Sequence, residues 1–398
     1  MARIAMLAYT DYRSDPRVRR EAEALAARGD EVEFFCLRKD GDPAEETMEG
    51  VRVRHLPLAR YRGGKNWMYV AGYLAFFWMS LFAVGAAHLR RRYDLVHANS
   101  MPDFIVFAAL IPRLTGTPVI LDIHDTMPEI YRGKFGAGEG HPLIRMLLLQ
   151  ERLSGAFATH VLTSEHTKRD VLIEHGLDPA KIDVLLNVPD PRIFRRVDPD
   201  ARDAAASAAD ASAKPFRLVF HGTMAERLGL DIAIRAVARL KDELPDVVLD
   251  LIGDGDHRAA LVGLARELGV ADRVRFSDGM VPLESLPAEL EGADLAVIPT
   301  RAEISTRYML PTKLVEYAAL GIPAVVAPTH TIRYYFDEEQ VAFFEPGDDA
   351  SLAEEIRKLH ADPERRARLA RNSGRFLDQY HWDEHKKVYF DLVDRLIR

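Results

Sequence analysis

Residues Tyr308 to Ala327 read YMLPTKLVEYAALGIPAVVA, a loop, a short helix and a buried strand in succession. Pro311 or Thr312 opens the helix, Gly321 lies just past its end and Pro323 follows, the usual order of residues that start and stop a helix. The AVVA run is continuously apolar, the mark of a strand covered on both faces. Lys313 and Glu316 fall in the first turns. A helix N-terminus has unpaired N–H groups and a partial positive charge, so it attracts anions. A lysine there adds a full charge, and a glutamate one turn further adds a hydrogen-bond acceptor. Phosphate at the helix tip and a sugar hydroxyl on the carboxylate is the pattern that holds a nucleoside diphosphate. A surface helix with an i,i+3 Lys–Glu pair shows the same two residues, so the stretch needs partners elsewhere in the chain.

The rest of the chain repeats the same alternation. Ile4–Ala8, Glu31–Leu37, Val51–Leu58, Asp94–Ala98, Pro118–Ile123, His160–Thr163 and Lys181–Leu186 read as strands of the first half. Helices are expected between them: one opened by Asp15-Pro16, then residues 67–89, 102–115, 142–158 and 164–174. From Asn187 to Pro215 the pattern breaks into a Pro-, Ala-, Ser- and Asp-rich stretch without periodicity, the composition of a linker. It restarts with strands at Phe216–His221, Val247–Ile252, Val274–Phe276 and Leu295–Pro299, again separated by helices. The fold class expected is α/β: two doubly wound parallel-sheet domains with a cleft between them. The boundaries are residues 1–190 for the first domain, 191–214 for the linker and 215–379 for the second. An amphipathic helix, Trp382–Ile397, follows.

A length of 398 residues suits two domains, and the apolar and charged fractions of 48% and 29% are those of a globular chain. Cys36 is the single cysteine, which excludes a disulfide framework and a cysteine-based metal site. It sits in the apolar strand EVEFFCL as a packed residue. Residues 1–186 carry 24 basic and 24 acidic side chains, so the net charge of −8 comes from the remainder. There is no basic field of the kind nucleic acid requires. MARIAMLAYT enters a strand pattern directly, without the features of a signal peptide, and a cytoplasmic location is expected.

Trp67–Ala87, WMYVAGYLAFFWMSLFAVGAA, is 21 residues long without a charge, enough to span a bilayer. Topology opposes a single crossing, because the flanking strands should belong to one sheet. Three readings stay open: a buried crossover helix, a helix whose outer face touches lipid, and a span. The flanks favour the second. Residues 50–100 contain Arg52, Arg54, Arg60, Arg62, Lys65, Arg90, Arg91 and Arg92 against one acid, Asp94, and basic groups beside an apolar face attract anionic headgroups.

Four other stretches fall at strand ends facing the expected cleft. Phe220-His221-Gly222-Thr223 closes a strand, and Arg227 follows before the next helix. Glycine lets backbone approach a ligand, and arginine can fork two phosphate oxygens. Gly253 and Gly255 in LIGDGD form a turn tight enough to seat a flat base. Asp254 and Asp256 spell D-x-D, which in a glycine turn is more simply read as solvated acids than as a metal site. Asp278–Pro282 is placed to meet the base through backbone groups, with Met280 and Val281 at its centre. In ILDIHDTMPE, His124 and Asp125 end a strand of the first domain, with Glu129 just beyond. A histidine there can hydrogen-bond a sugar, although a structural histidine has the same signature. Asp15 and Arg17, with Asp125 and Glu129, are the candidates for the acceptor side. No H-E-x-x-H, cysteine cluster or G-x-S-x-G occurs, and the first βα turn, AYTDYRSDP, lacks G-x-G-x-x-G. A metalloprotease, a serine hydrolase and an NAD-type dehydrogenase are thereby disfavoured.

Taken together, SDPRVRREAEAL, DLVHAN, the HD of DIHDTMPE, HGT with ERLGLD, LIGDG, ADLAVIPT and PTKLVEYAALGIPAVVA resemble the family 4 retaining glycosyltransferases, over nearly the whole chain. That resemblance implies the GT-B fold, two Rossmann-like domains facing a cleft, with a last helix (residues 380–398) that returns to the first domain. It implies transfer of a sugar from a nucleoside-diphosphate donor to a lipid-linked or saccharide acceptor, with retention, in bacterial surface-polysaccharide or glycolipid synthesis. Glu316 would hold the ribose hydroxyls, Arg227 and Lys313 would neutralise the diphosphate, and His124 would touch the donor sugar near the reacting carbon. No metal or other cofactor is implied, and the expected partners are the nucleotide sugar, the acceptor and the inner-membrane surface. The family's E-x7-E motif would place its first glutamate at Tyr308, so contacts to the donor sugar must come from elsewhere, for example from backbone amides between Met309 and Thr312, and the donor-binding candidates of this stretch are Met309, Leu310, Pro311, Thr312 and Leu314. A nucleotide-sugar 2-epimerase on the same fold, or a non-catalytic partner of a transferase, are the rival readings.

Overall fold

The computed structural model describes residues 1–398 except 62, 64, 65, 137, 139 and 199–213. Contacts divide the chain into two units, Met1–Asn187 with Asp383–Arg398, and Val188–Trp382.

The first unit is built on an eight-stranded sheet. Its strands are β1 (Arg3–Ala8), β2 (Glu31–Leu37), β3 (Glu45–Met48), β4 (Val51–Leu56), β5 (Leu95–Asn99), β6 (Val119–Ile123), β7 (His160–Thr163) and β8 (Ile182–Val184). They lie in the order β3-β4-β2-β1-β5-β6-β7-β8. All pairs are parallel except β3–β4. Strands β1, β5 and β6 are buried along their whole length, as continuous apolar runs covered on both faces must be. The sequence reading lacks β3, a short charged edge strand. Its hairpin turn is Glu49-Gly50, both at positive φ (46° and 81°), which matches the twist of a two-residue antiparallel loop. It also lacks the helix Met127–Phe135, which has proline in its first turn and ends at Gly136. The expected helix over 102–115 begins as a 3-10 segment, Asp103–Ala109. Cys36 is buried in β2, and burial pushes its thiol up to about 12, so it is an inert packed residue.

Helix Asn66–Arg90 connects β4 to β5, and both strands lie in this one sheet. A span is thereby excluded, since it would separate them across a bilayer. A wholly buried helix is excluded as well. Phe76, Ser80, Val84, Ala87 and His88 face the core, whereas Trp67, Val70, Leu74, Trp78, Phe82 and Leu89 form an exposed stripe at helical spacing. Part of the expected basic flank is neutralised by acids from other strands, while Arg60, Arg90 and Arg92 are exposed. Arg52 lies 3.3 Å from Glu33 and 3.4 Å from Glu45, Arg54 3.6 Å from Glu33, and Arg91 2.6 Å from Glu31. Arg62 and Lys65 lie outside the described residues.

Helix Trp382–Ile397 packs within the first unit. The Tyr389 hydroxyl lies 2.7 Å from His97 Nδ1, and Arg28 pairs with Asp394 at 2.9 Å. Tyr389, Leu392 and Val393 are its buried face.

The second unit has six parallel strands: β9 (Phe216–His221), β10 (Val247–Ile252), β11 (Val274–Phe276), β12 (Leu295–Ile298), β13 (Ala324–Val326) and β14 (Ala342–Phe343). Their order, β11-β10-β9-β12-β13-β14, reverses direction between β9 and β12. The carboxyl ends of those two strands mark the place where such sheets bind ligands. This unit starts earlier than the sequence suggests. Val188 and Phe194 are buried, and the Val197 N–H donates to the Ala319 carbonyl at 2.8 Å, so residues 188–197 are docked rather than linking. The rest of the expected linker, 199–213, is outside the described residues.

Candidate functional site

Helix Thr312–Ala319 begins after Pro311, whose extended conformation turns the chain into it. Lys313, in the first turn, is half-buried, and its ammonium lies 4.6 Å from the Phe220 ring centroid. Desolvation pulls its pKa down to about 8, and the nearby Arg227 charge lowers it too, while Glu316 opposes both. Arg227 is exposed in the 3-10 turn Glu226–Leu228, and among the described residues no carboxylate pairs with it. The two cations therefore lie near one another at the end of β9 with their charges mutually unfavourable, which an anion beside them would relieve.

Glu316 is buried at 8% exposure, and its Oε2 lies 2.6 Å from His221 Nε2. The other His221 nitrogen, Nδ1, lies 2.9 Å from the Tyr317 hydroxyl, which also accepts the His221 backbone N–H at 3.0 Å. Sequence reasoning singled out the HGT turn for its glycine but assigned no role to His221 or Tyr317. Their partnership spans 95 and 96 residues, so no local spacing reveals it.

The glycine turns have a reason other than a ligand. A Cβ on Gly253 would lie 2.1 Å from the Gly222 carbonyl oxygen, and one on Gly255 would lie 2.3 Å from that of Met224. The two turns pack backbone on backbone, joined by Gly222 N–H to Ile252 O and Met224 N–H to Asp254 O, both 2.8 Å. Thr223 is exposed beside them. Asp254 accepts from the Gly255 N–H at 2.8 Å, so it closes its own turn. Loop 277–281 is fixed to this pair by Ser277, whose hydroxyl accepts the Gly253 N–H at 2.7 Å, leaving Met280 exposed and Val281 half-exposed.

Two donor contacts expected from sequence need correction. Leu314 is 1% exposed and its N–H bonds the Pro311 carbonyl at 2.9 Å, so neither its side chain nor its amide is open to a ligand. Leu310 is likewise buried. Met309 packs on the core edge, and Thr312 is half-exposed at the helix tip. Tyr308 packs edge-on to His330 at 5.9 Å, with the Arg307 guanidinium 5.5 Å from its ring.

In the first unit the structure brings Asp15, Arg17, His124 and Asp125 together at the carboxyl ends of the strands. Arg17 pairs with Asp15 at 3.2 Å. Burial pushes the Asp15 carboxyl up, but the charges of Arg17 and His124 outweigh it and hold it below its ordinary value. His124 is buried, with Nε2 3.0 Å from Asp122 Oδ2, whereas Nδ1 has no hydrogen-bond partner among the described residues. Its backbone is clamped, the carbonyl accepting from Lys168 and from Ser164 at 3.3 Å. A buried imidazole nitrogen without a partner is the state expected of a ligand contact. Asp125 is exposed beside it. Glu129 stands apart from this group: it is buried, 3.4 Å from His175, which also pairs with Glu151 at 2.7 Å. Its position makes it a brace between helices rather than an acceptor contact.

Glu21, His97 and Asp122 offer three ligand atoms within 4.8 Å of one another, all buried. Burial and the Asp122 charge hold the Glu21 carboxyl well above the carboxylate range, so it enters the cluster neutral. Arg17 and Arg20 lie near it.

Residues 14–187 match the Glycosyl transferase 4-like domain, and residues 202–376 match the Glycosyl transferases group 1 domain. The chain is 28% identical over 392 residues to D-inositol 3-phosphate glycosyltransferase of Thermomonospora curvata, covering 94% of this chain and 87% of that protein. Among solved structures it is similar to sucrose-phosphate synthase from Thermosynechococcus elongatus, with a TM-score of 0.79 at 20% identity over 100% and 99% of the two chains. Anabaena HepE in complex with UDP-glucose aligns with a TM-score of 0.71 at 17% identity over 99% and 100%. Two matched domains that together account for most of the chain, on two parallel-sheet units with this topology, make the protein a member of the family 4-like glycosyltransferases of the GT-B fold.

Proposed function

We propose that the protein moves a hexosyl or N-acetylhexosaminyl group from a nucleoside-diphosphate sugar to a lipid-linked or saccharide acceptor, with retention, at the cytoplasmic face of the membrane. The observation that carries this reading is the end of β9, where Lys313 and Arg227 flank Gly222 and the helix N-terminus, with Glu316 one turn behind. The cations and helix tip suit a diphosphate, and the carboxylate suits a ribose. HepE, with the same fold, is described in complex with UDP-glucose, which supports a donor of this class.

In the reaction so proposed, the bond from the anomeric carbon to the diphosphate oxygen breaks and the acceptor oxygen takes its place on the same face. The acceptor proton leaves with the departing phosphate. Negative charge grows on that phosphate, and fixed cations aimed at it lower the barrier without needing to reorganise. Lys313, Arg227 and the helix N-terminus supply this charge, so no metal is invoked. His124, whose Nδ1 has no partner among the described residues, is proposed as the polar contact for the reacting sugar, with Asp15, Arg17 and Asp125 on the acceptor side.

The membrane part rests on the exposed stripe of helix Asn66–Arg90, where Trp78 and Phe82 are 53% and 69% exposed. A contiguous apolar face of this kind on a folded unit marks a contact surface. The relative from Thermomonospora curvata is named for D-inositol 3-phosphate, so inositol phosphate is the second acceptor class to try. The test is a panel of UDP-, GDP-, dTDP- and CMP-sugars scored by thermal shift, followed by transfer to membrane extract and to inositol phosphate with and without EDTA. A rise in melting temperature with one donor and EDTA-resistant transfer are expected. No response to any donor would favour a non-catalytic partner.

A further inference from the structure

His221, Tyr317 and Glu316 form a closed set of donors and acceptors at the end of β9. The rings of His221 and Tyr317 meet edge to face, 5.0 Å apart at 85°. Both side chains are buried, at 4% and 0% exposure. The Tyr317 oxygen accepts the His221 backbone N–H at 3.0 Å and has one proton of its own to donate. Burial holds that phenol well above its ordinary pKa, so the proton stays. Of the described contacts, the acceptor in reach is His221 Nδ1, at 2.9 Å. Nδ1 must then carry the lone pair, and Nε2 the proton. Nε2 donates it to Glu316 Oε2, 2.6 Å away. Three donors meet three acceptors. The opposite assignment leaves the Tyr317 O–H buried without a partner and sets an imidazole lone pair against a carboxylate, which a packed interior disfavours.

We propose that His221 and Tyr317 are positioning residues: the Tyr317 hydroxyl locks His221 as its Nε2–H tautomer, and His221 in turn fixes one oxygen of Glu316 so that the other faces the nucleotide ribose. This rests on the reading of Glu316 as the ribose contact. Because the ring gives Glu316 a hydrogen bond and not a full positive charge, the carboxylate keeps its charge for the ribose hydroxyls. Those charge-assisted bonds are the stronger kind. A carboxylate free to rotate would lose part of that advantage to conformational freedom.

The test has two arms on the full chain. Long-range 1H–15N NMR of 15N-histidine protein reads the tautomer directly, the His221 signals being those lost in H221Q. The Nε2–H pattern is expected at neutral pH, and an Nδ1–H or doubly protonated pattern overturns the lock. The second arm is calorimetric affinity for UDP and GDP, each against its 2′-deoxy form. H221A and Y317F should weaken ribonucleotide binding by about tenfold, the effect of losing one such orienting bond, and narrow the gap to the deoxy forms. H221Q, whose amide N–H can stand where Nε2–H stood, should recover most of the loss. Equal loss in H221Q and H221A would overturn the positioning role, and H221Q also serves if Y317F disturbs the core. An Nε2–H pattern in the first arm with unchanged affinity in E316A would leave the tautomer lock standing and remove the ribose assignment instead.

Discussion

The ammonium of Lys313 stands 4.6 Å above the centre of the Phe220 ring, held by an aromatic face in the absence of a counter-anion. Cation–π contact of this kind contributes on the order of 1 kcal/mol, less than the desolvation it accompanies, and the lysine is left with a pKa of about 8. Its charge is present below that value and lost above it. Affinity for UDP or the selected nucleotide should therefore be flat from pH 6.5 to 7.5 and fall as pH rises through about 8. K313R should bind without that inflection, because arginine stays charged, and K313A should lose transfer by 100-fold or more on the scale typical of a removed transition-state cation. Calorimetry across pH 6.5–9.5 checks this; an affinity in the wild type that stays level to pH 9.5 would remove Lys313 from the diphosphate.

The backbone contact between the two glycine turns should be intolerant of a methyl group. G253A places a Cβ 2.1 Å from the Gly222 oxygen at a φ of +137°. Backbone strain of about 1–3 kcal/mol adds to overpacking of similar size. The melting temperature of the second unit should drop by several degrees and nucleotide affinity should drop with it, because Gly222 borders Lys313. Gly263, in a helix with nothing near its missing Cβ, is the control: G263A should gain roughly 0.5–1 kcal/mol. Calorimetric unfolding of both variants decides it, and equal behaviour would mean that the turns have room to move apart.

Two groups of the first unit should each lose their contribution to stability as pH rises. Burial, with the Glu151 charge, pushes the Asp103 carboxyl up to about 8. A carboxyl raised in the fold favours folding below its ordinary value near 3.8 and loses that contribution progressively as pH climbs to about 8. His175 acts in the same direction at higher pH. Burial alone would lower it, but Glu129 and Glu151 outweigh burial and raise it to about 10, so its contribution is complete below about 6.5 and fades as pH passes 10. Relative to the wild type, D103N should remove the Asp103 share of the loss between pH 5 and 8 and leave the loss that His175 contributes from about 6.5 to 10. Differential scanning calorimetry at half-unit steps reads both; a D103N profile parallel to the wild type would show that Asp103 is ionised in the fold.

Membrane association, where it occurs, should be carried by the apolar stripe more than by charge. Arg52, Arg54 and Arg91 are paired with acids of the first sheet, which leaves the exposed Arg60, Arg90 and Arg92 as the flanking charges that salt can screen. Liposomes of anionic lipid should retain most of the protein between 50 and 500 mM salt. Replacing Trp78 and Phe82 by serine should cut co-sedimentation by tenfold or more, each ring contributing about 1–2 kcal/mol of buried area. The melting temperature should hold, since both rings are largely exposed. Undiminished sedimentation of that double variant would place the contact elsewhere.

Much of this architecture is legible in the chain because its strands are continuous apolar runs and its helices carry their own start and stop residues. Pro311 through Pro323 show both kinds of signal in one stretch. What escaped was of two kinds. Strand β3, EETM, is a four-residue edge with half its positions exposed, so it owes its conformation to pairing with β4 and not to its own composition. The relations among His221, Glu316 and Tyr317, or between Glu129 and His175, join residues remote in sequence. Spacing within one segment cannot encode which distant side chain completes a hydrogen bond. The same limit explains Leu314: its place one residue after Lys313 suggested ligand contact, whereas the helix turns it into the core.

Helix Trp382–Ile397 closes the first unit, yet the whole second unit intervenes before it in the chain. During synthesis the second sheet can therefore be complete while the first still lacks the segment that carries Tyr389. Until it arrives, His97 Nδ1 has no hydroxyl to meet, and the seats of Tyr389, Leu392 and Val393 stand open to water. The half begun first is finished last. A nascent chain in that state would carry a complete second unit joined to an unsealed first one.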